Sequence, residues 1–84
     1  MEENKSDIIL FYGTTWCFES RRARTLMDSH NIPYQFIDID KDPEGKQFVE
    51  KVNKGMRSVP TILFPDGTIL VEPSSTVLSN KLGI

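Results

Sequence analysis

The run Ile8-Ile9-Leu10-Phe11-Tyr12 constrains the fold more than any other stretch of this 84-residue chain. Consecutive side chains of a strand point to opposite faces, so an unbroken apolar run is a strand that must be covered on both sides. Gly13-Thr14-Thr15 interrupts it, and a helical pattern follows from about Cys17 to His30. Ser20, Ala23, Arg24 and Met27 share one stripe of that helix, and Ala23, Leu26, Met27 and His30 form its more apolar face. Asn31 fits a left-handed stop, and Pro33 bars continuation. Tyr34-Gln35-Phe36-Ile37-Asp38-Ile39 reads as a second strand. One helix between two strands makes a βαβ unit, hence a parallel pair with a right-handed crossover.

The second helix is marked by Asp42 as its cap and Pro43 in its first turn. Phe48, Val49 and Val52 make its inner face and Gly55 its end, with Gly45 a weak point inside it. After Met56-Arg57-Ser58-Val59-Pro60 comes a strand, Thr61-Ile62-Leu63-Phe64. Pro65-Asp66-Gly67 is a tight-turn signal, and Thr68-Ile69-Leu70-Val71 pairs back as a hairpin. Pro73-Ser74-Ser75 opens a last helix carrying Val77, Leu78 and Leu82, with Gly83 near its end. The predicted order is βαβαββα, one α/β domain over residues 1–84, without repeats or linkers.

Bulk properties narrow the partners. A net charge of −2 gives no electrostatic reason to expect nucleic acid or an anionic membrane surface. No apolar run approaches the roughly 20 residues of a membrane helix, and the opening Met1-Glu2-Glu3-Asn4-Lys5-Ser6 is polar, unlike a secretory leader. One cysteine excludes an internal disulfide framework, so a reducing cytoplasm is the expected compartment.

That cysteine, Cys17, falls at the strand-to-helix turn, where unpaired N–H groups and the helix dipole favour thiolate over thiol. Arg21 and Arg24 lie four and seven residues on, along the same helical side, and add positive charge, while Glu19 opposes a second anion. The bland alternative is a small buried hydrophobic cysteine. His30, at the far end of the helix, is too remote to act as a base. Asp38, Asp40 and Asp42 fall at a strand end and a helix cap rather than in a metal-binding loop, so no metal site is expected.

Taken together, Tyr12-Gly13-Thr14-Thr15-Trp16-Cys17, Ser58-Val59-Pro60-Thr61, Phe64-Pro65-Asp66-Gly67 and Pro73-Ser74 resemble, in order and over nearly the whole chain, the glutaredoxin branch of the thioredoxin-fold redox proteins, in its mycoredoxin-like group. The resemblance implies a four-stranded mixed sheet of order 2-1-3-4 with helices on both faces. It also implies a cis Val59–Pro60 bond beside the active cysteine, and thiol–disulfide oxidoreductase activity. Cys17 and Ser20 are then the catalytic candidates. Trp16, Phe18, Arg21, Val59, Pro60, Ser74 and Ser75 would bind substrate, in a groove bounded by residues 16–18, the proline loop and the start of the last helix. One of Trp16 and Phe18 is expected to pack in the core instead. Arg57 is a possible ligand cation or a solvated surface charge.

Ser20 stands three residues after Cys17, where a dithiol motif carries its second sulfur. Without that sulfur the chain is expected to follow a monothiol route on mixed disulfides between proteins and a low-molecular-weight thiol, with no bound cofactor. The Gly-Gly-x-Asp type segment of ordinary glutaredoxins and a lysine shortly before the cysteine are both missing, which weighs against glutathione as the co-substrate and makes mycothiol, bacillithiol or a similar low-molecular-weight thiol the alternative to it. Relatives of this pattern carry a second cysteine at this position after an acidic residue; here Glu19 is present and the sulfur is not. The chain therefore reads as a natural monothiol form or as a Cys-to-Ser variant of a dithiol enzyme. An iron–sulfur carrier and a redox-silent interaction module are further alternatives. A monomer acting on small thiols and protein mixed disulfides is the reading adopted.

Overall fold

β1 (Ile9–Gly13) occupies an interior position in a four-stranded sheet, which accounts for its unbroken apolar sequence. The computed structural model describes residues 8–84; the polar opening, and the reading that it is no leader, lie outside the described residues. β1 is followed by α1 (Phe18–Ser29), β2 (Tyr34–Asp38), α2 (Pro43–Val52), β3 (Thr61–Leu63), β4 (Ile69–Val71) and α3 (Ser75–Leu82), the expected βαβαββα order. The sheet runs β2-β1-β3-β4. β2 lies parallel to β1, from Ile9 opposite Tyr34 to Gly13 opposite Asp38. β3 is antiparallel to β1, with Tyr12 opposite Thr61, and β4 is antiparallel to β3, with Thr61 opposite Val71.

The two-residue period of β1 sends its side chains into two cores. On one face Ile9 and Phe11 meet Ala23 and Met27 of α1, Leu78 of α3, and Ile62 and Phe64. On the other, Tyr12 joins Ile39 and Val49, with Phe48, Leu10, Ile37, Val59 and Leu63 packed against them. Phe11, Met27, Ile62, Leu78 and Val49 are fully buried, each worth about 1.5–3 kcal/mol of apolar transfer.

Local signals set the ends of the elements. Asp42 caps α2 by accepting hydrogen bonds from the backbone N–H groups of Glu44 and Gly45, both at 3.1 Å. Asn31 is left-handed (φ 57°) and stops α1. Gly45 is the finding where weakness was expected: a Cβ there would sit 2.7 Å from Cγ2 of Ile37, so the residue is small because α2 lies directly on the sheet. Ser74 caps α3 through its hydroxyl, which accepts from the Val77 N–H at 3.1 Å. Val77 itself is exposed rather than an inner-face residue. Leu78 and Leu82, one turn apart, take the core side, and Val77 is rotated about 100° away from Leu78. The Val59–Pro60 peptide is cis, as the resemblance implied.

At the hairpin end, the Phe64 N–H donates to the Thr68 carbonyl (2.8 Å) and Gly67 takes φ 91°. Lys81 of α3 reaches back to Asp66 (2.7 Å) and to the Thr68 hydroxyl (3.2 Å), with its ammonium 5.2 Å from the Phe64 ring centre.

Candidate functional site

The sheet register brings three separated segments to one end of the molecule. The C-terminal end of β1 leads into residues 14–17 and the start of α1, the start of β3 carries Pro60, and the end of β4 leads to the start of α3. The Glu72 N–H donates to the Pro60 carbonyl at 2.8 Å and so ties the last two together. Trp16, Cys17, Phe18, Ser20, Arg21, Val59, Pro60, Ser74 and Ser75 therefore all lie on elements that meet at this end. His30, an exposed C-terminal cap of α1, lies at the other.

Cys17 is the N-cap of α1, in extended conformation and partly exposed. Its own N–H donates to Oγ1 of the buried Thr14 (3.2 Å), and its carbonyl accepts from the Arg21 N–H (3.0 Å). The backbone on both sides of the thiol is thus held, and no side chain caps the helix in front of it. Ser20 is fully buried and its hydroxyl has no hydrogen-bond partner. Its Oγ would lie 2.8 Å from a Cβ placed on Gly13, so the hydroxyl abuts the end of β1. A buried hydroxyl without a partner costs on the order of 1–3 kcal/mol.

The flanking rings correct one expectation. Trp16 and Phe18 are both 68% exposed, so neither packs in the core. Helix geometry explains it: Ser20, Ala23 and Met27 already form the buried stripe of α1, and residues 16 and 18 fall outside it. Phe18 faces the Arg22 guanidinium (5.9 Å) and, with Arg21, Arg22 and Thr25, lines a shallow groove on the outer side of α1. Glu19 pairs with Arg22, so its charge is balanced beside the thiol. Arg24, expected on the side of Cys17, is turned away: its guanidinium stacks 3.9 Å from the Phe36 ring centre and its Nε donates to the Tyr34 hydroxyl (3.3 Å).

Asp40, which reads from the sequence only as a strand-end acid, links two loops at this end. Its two carboxylate oxygens accept from two different loops: the Trp16 indole N–H reaches Oδ2 (2.7 Å) and Nη2 of Arg57 reaches Oδ1 (2.8 Å). Its carboxyl is held below the usual carboxylate range, first by the Trp16 hydrogen bond and then by the bond and charge of Arg57, with Lys46 adding to them. Arg57 is therefore neither free nor simply solvated. The available signal was position: Asp40 follows the C-terminal end of a parallel strand, where α/β sheets gather their ligand-binding groups. Among the described residues, no three of His, Cys, Asp and Glu converge as a metal site would need.

The proline loop is held from α2. Thr61 is fully buried; its hydroxyl donates to the Ser58 carbonyl (2.7 Å) and accepts from Nδ2 of Asn53 (3.2 Å), which also donates to the Val49 carbonyl (2.8 Å). Tyr12, stacked on Phe48 at 4.7 Å, is buried, which raises its phenol pKa, with the Asp42 charge adding to the effect. It is a structural residue.

Both the sequence and the fold have known counterparts. The family model for glutaredoxin matches residues 9–69. A candidate glutaredoxin of Mycobacterium tuberculosis is 36% identical over 74 residues, 88% of either chain. Mycoredoxin 1 of Corynebacterium glutamicum is 34% identical over 74 residues, 88% of this chain and 91% of its own. The crystal structure of a glutaredoxin from Archaeoglobus fulgidus superposes with a TM-score of 0.73 at 25% identity, over 96% of both chains.

Proposed function

The chain belongs to the glutaredoxin family and is a glutaredoxin- and mycoredoxin-like redox protein, and from that premise we propose that it is a monothiol thiol–disulfide oxidoreductase with Cys17 as its nucleophile. The observation that carries this is the pairing of a partly exposed Cys17 at the start of α1 with a serine, not a second sulfur, at position 20. The Cys17 thiolate attacks the small-thiol sulfur of a protein–S–S–R mixed disulfide. The protein leaves as its thiolate, takes up a proton, and Cys17–S–S–R remains. A second small thiolate then attacks the R sulfur, releasing R–S–S–R and restoring the Cys17 thiolate, so each turnover consumes one free small thiol, frees one protein thiol and yields one R–S–S–R.

In this reading Trp16, Phe18 and Arg21 flank the entering disulfide. Main-chain groups of Val59, beside Pro60, pair with the extended small thiol as a strand would. The backbone N–H groups of Ser74 and Ser75 at the start of α3 receive a carboxylate. A lone cysteine suits a reducing compartment such as the cytoplasm. A coupled assay offering one mixed-disulfide substrate with glutathione, mycothiol or bacillithiol tests the reading. Turnover with at least one thiol, lost in Cys17→Ala, is expected; absence of turnover with all three sinks it.

A second reading has an observation in its favour. The buried hydroxyl of Ser20 has nothing to bond, whereas a cysteine sulfur in that space would need no partner. Position 20 therefore suits the sulfur of a dithiol enzyme, of which this chain would be the Cys-to-Ser form.

A further inference from the structure

Arg57 is the cation nearest in sequence to Val59 and Pro60, and it is already taken. Asp40 holds it at 2.8 Å with one oxygen and holds the indole of Trp16, next to the thiol, at 2.7 Å with the other. One carboxylate thus spans from the residue before Cys17 to the loop before Pro60. Two consequences follow from charge and geometry. The guanidinium has its charge balanced and one of its donor faces occupied. A ligand carboxylate aimed at Arg57 would also lie beside the Asp40 carboxylate, a like-charge contact that opposes binding.

Building on the thiol-exchange reading above, we propose that Asp40 is the selectivity residue of this site, reserving Arg57 so that the groove takes small thiols whose end at the proline loop is uncharged in preference to thiols bearing a carboxylate there. Asp40 touches no reacting atom; it is a positioning residue that acts through Trp16 and Arg57. The start of α3 offers less to a second carboxylate than a bare helix end would, because the Val77 N–H is already satisfied by the Ser74 hydroxyl.

The test uses an unreactive ligand, so that it reads binding separately from chemistry. S-methylglutathione, with two carboxylates, and its diethyl ester, with none, are titrated into the full chain while the indole N–H resonance of Trp16, the single tryptophan, is followed by NMR. Asp40→Asn removes the charge and keeps an oxygen for the indole. The free acid is expected to gain roughly fivefold in affinity relative to the diester in Asp40→Asn, the scale of one surface ion pair. In an Arg57→Gln background the same change should leave the ratio where it was. An acid-to-ester ratio unmoved by Asp40→Asn, or no response to either ligand in any variant, overturns the proposal. If the ratio moves but Cys17 exchanges no thiol in the coupled assay, Asp40 keeps its role and the oxidoreductase reading falls instead.

Discussion

Two exposed carboxylates at opposite ends of the same sheet invite comparison. Asp66, in the β3–β4 turn, accepts from Lys81 and from the Thr68 N–H, and the Lys81 ammonium also reaches the Thr68 hydroxyl and the Phe64 ring. The Lys81 hydrogen bond leads in holding its carboxyl well below the usual carboxylate range. Its partners belong to its own hairpin and to the helix packed on it. Asp40 accepts from residues 24 and 17 positions away in the chain, on two different loops, one of them an indole left facing solvent. The hairpin end closes on itself, with small turn residues and paired charges. The cysteine end keeps two exposed rings, and it holds the buried hydroxyl of Ser20, which has no partner. Stability and accessibility are divided between the ends.

The largest effect should come from giving the cysteine end its missing sulfur. Ser20→Cys is expected to form an intramolecular disulfide on mild oxidation, read by thiol titration. Resolution within the chain should raise turnover on protein disulfides at least about tenfold, because the second thiol attacks at high effective concentration. If both thiols stay free under oxidant, the end is less like a dithiol site than its burial suggests.

Glycine substitutions sharpen the contrast in a second way. Gly45→Ala forces a methyl to within 2.7 Å of Ile37 Cγ2 and should destabilise by about 1–3 kcal/mol, outweighing the ~1 kcal/mol gain in helix propensity. Gly67→Ala has open space around it and only its φ of 91° to contend with, so about 1 kcal/mol is expected. Urea midpoints of the two variants decide it; equal losses would show that α2 yields easily.

Ser20→Ala should stabilise the protein by about 1 kcal/mol, since it removes a buried hydroxyl that bonds to nothing and gains helix propensity. A loss of stability would mean that the hydroxyl has found a partner, and thermal unfolding reads the sign directly.

The smallest signal is in acid. Both carboxyls are depressed in the folded state, so their pairings are complete above the ordinary carboxylate value of about 4 and are lost as pH falls through their lower folded values. Trp16 fluorescence should therefore change below about pH 4 in the parent protein and in Asp66→Asn, and lose that step in Asp40→Asn. A step that survives Asp40→Asn would place the titrating group elsewhere.

Most of the fold was legible because its signals are local. The apolar run of β1, the Asp42-Pro43 start of α2, the Pro65-Asp66-Gly67 turn and the Ser74 cap each act within a few residues of themselves. The order of the strands, which brings the segments carrying Cys17, Val59, Pro60 and Ser74 to one end, has no local signal and came from the family resemblance. What escaped depends on partners far along the chain. Asp40 read as a strand-end acid, because nothing near it in sequence announces Trp16 or Arg57. Arg24 was assigned to the thiol by helical spacing, but the long side chain turned to the faces of Phe36 and Tyr34 across the fold. Gly45 looked like a flaw until the distance between α2 and Ile37 was known. Trp16 and Phe18 were split between core and surface, because an aromatic ring beside a helix start carries no mark of which way it faces.

The Thr61 hydroxyl, bonded on one side to Ser58 and on the other to Asn53, has a consequence for recognition. A wall already fixed in its bound shape loses little conformational freedom when something docks against it. In the groove proposed above, replacing Thr61 would convert that wall into a segment that each ligand must order anew, so the penalty should appear as unfavourable binding entropy shared by every ligand that reaches the loop, whatever its charge.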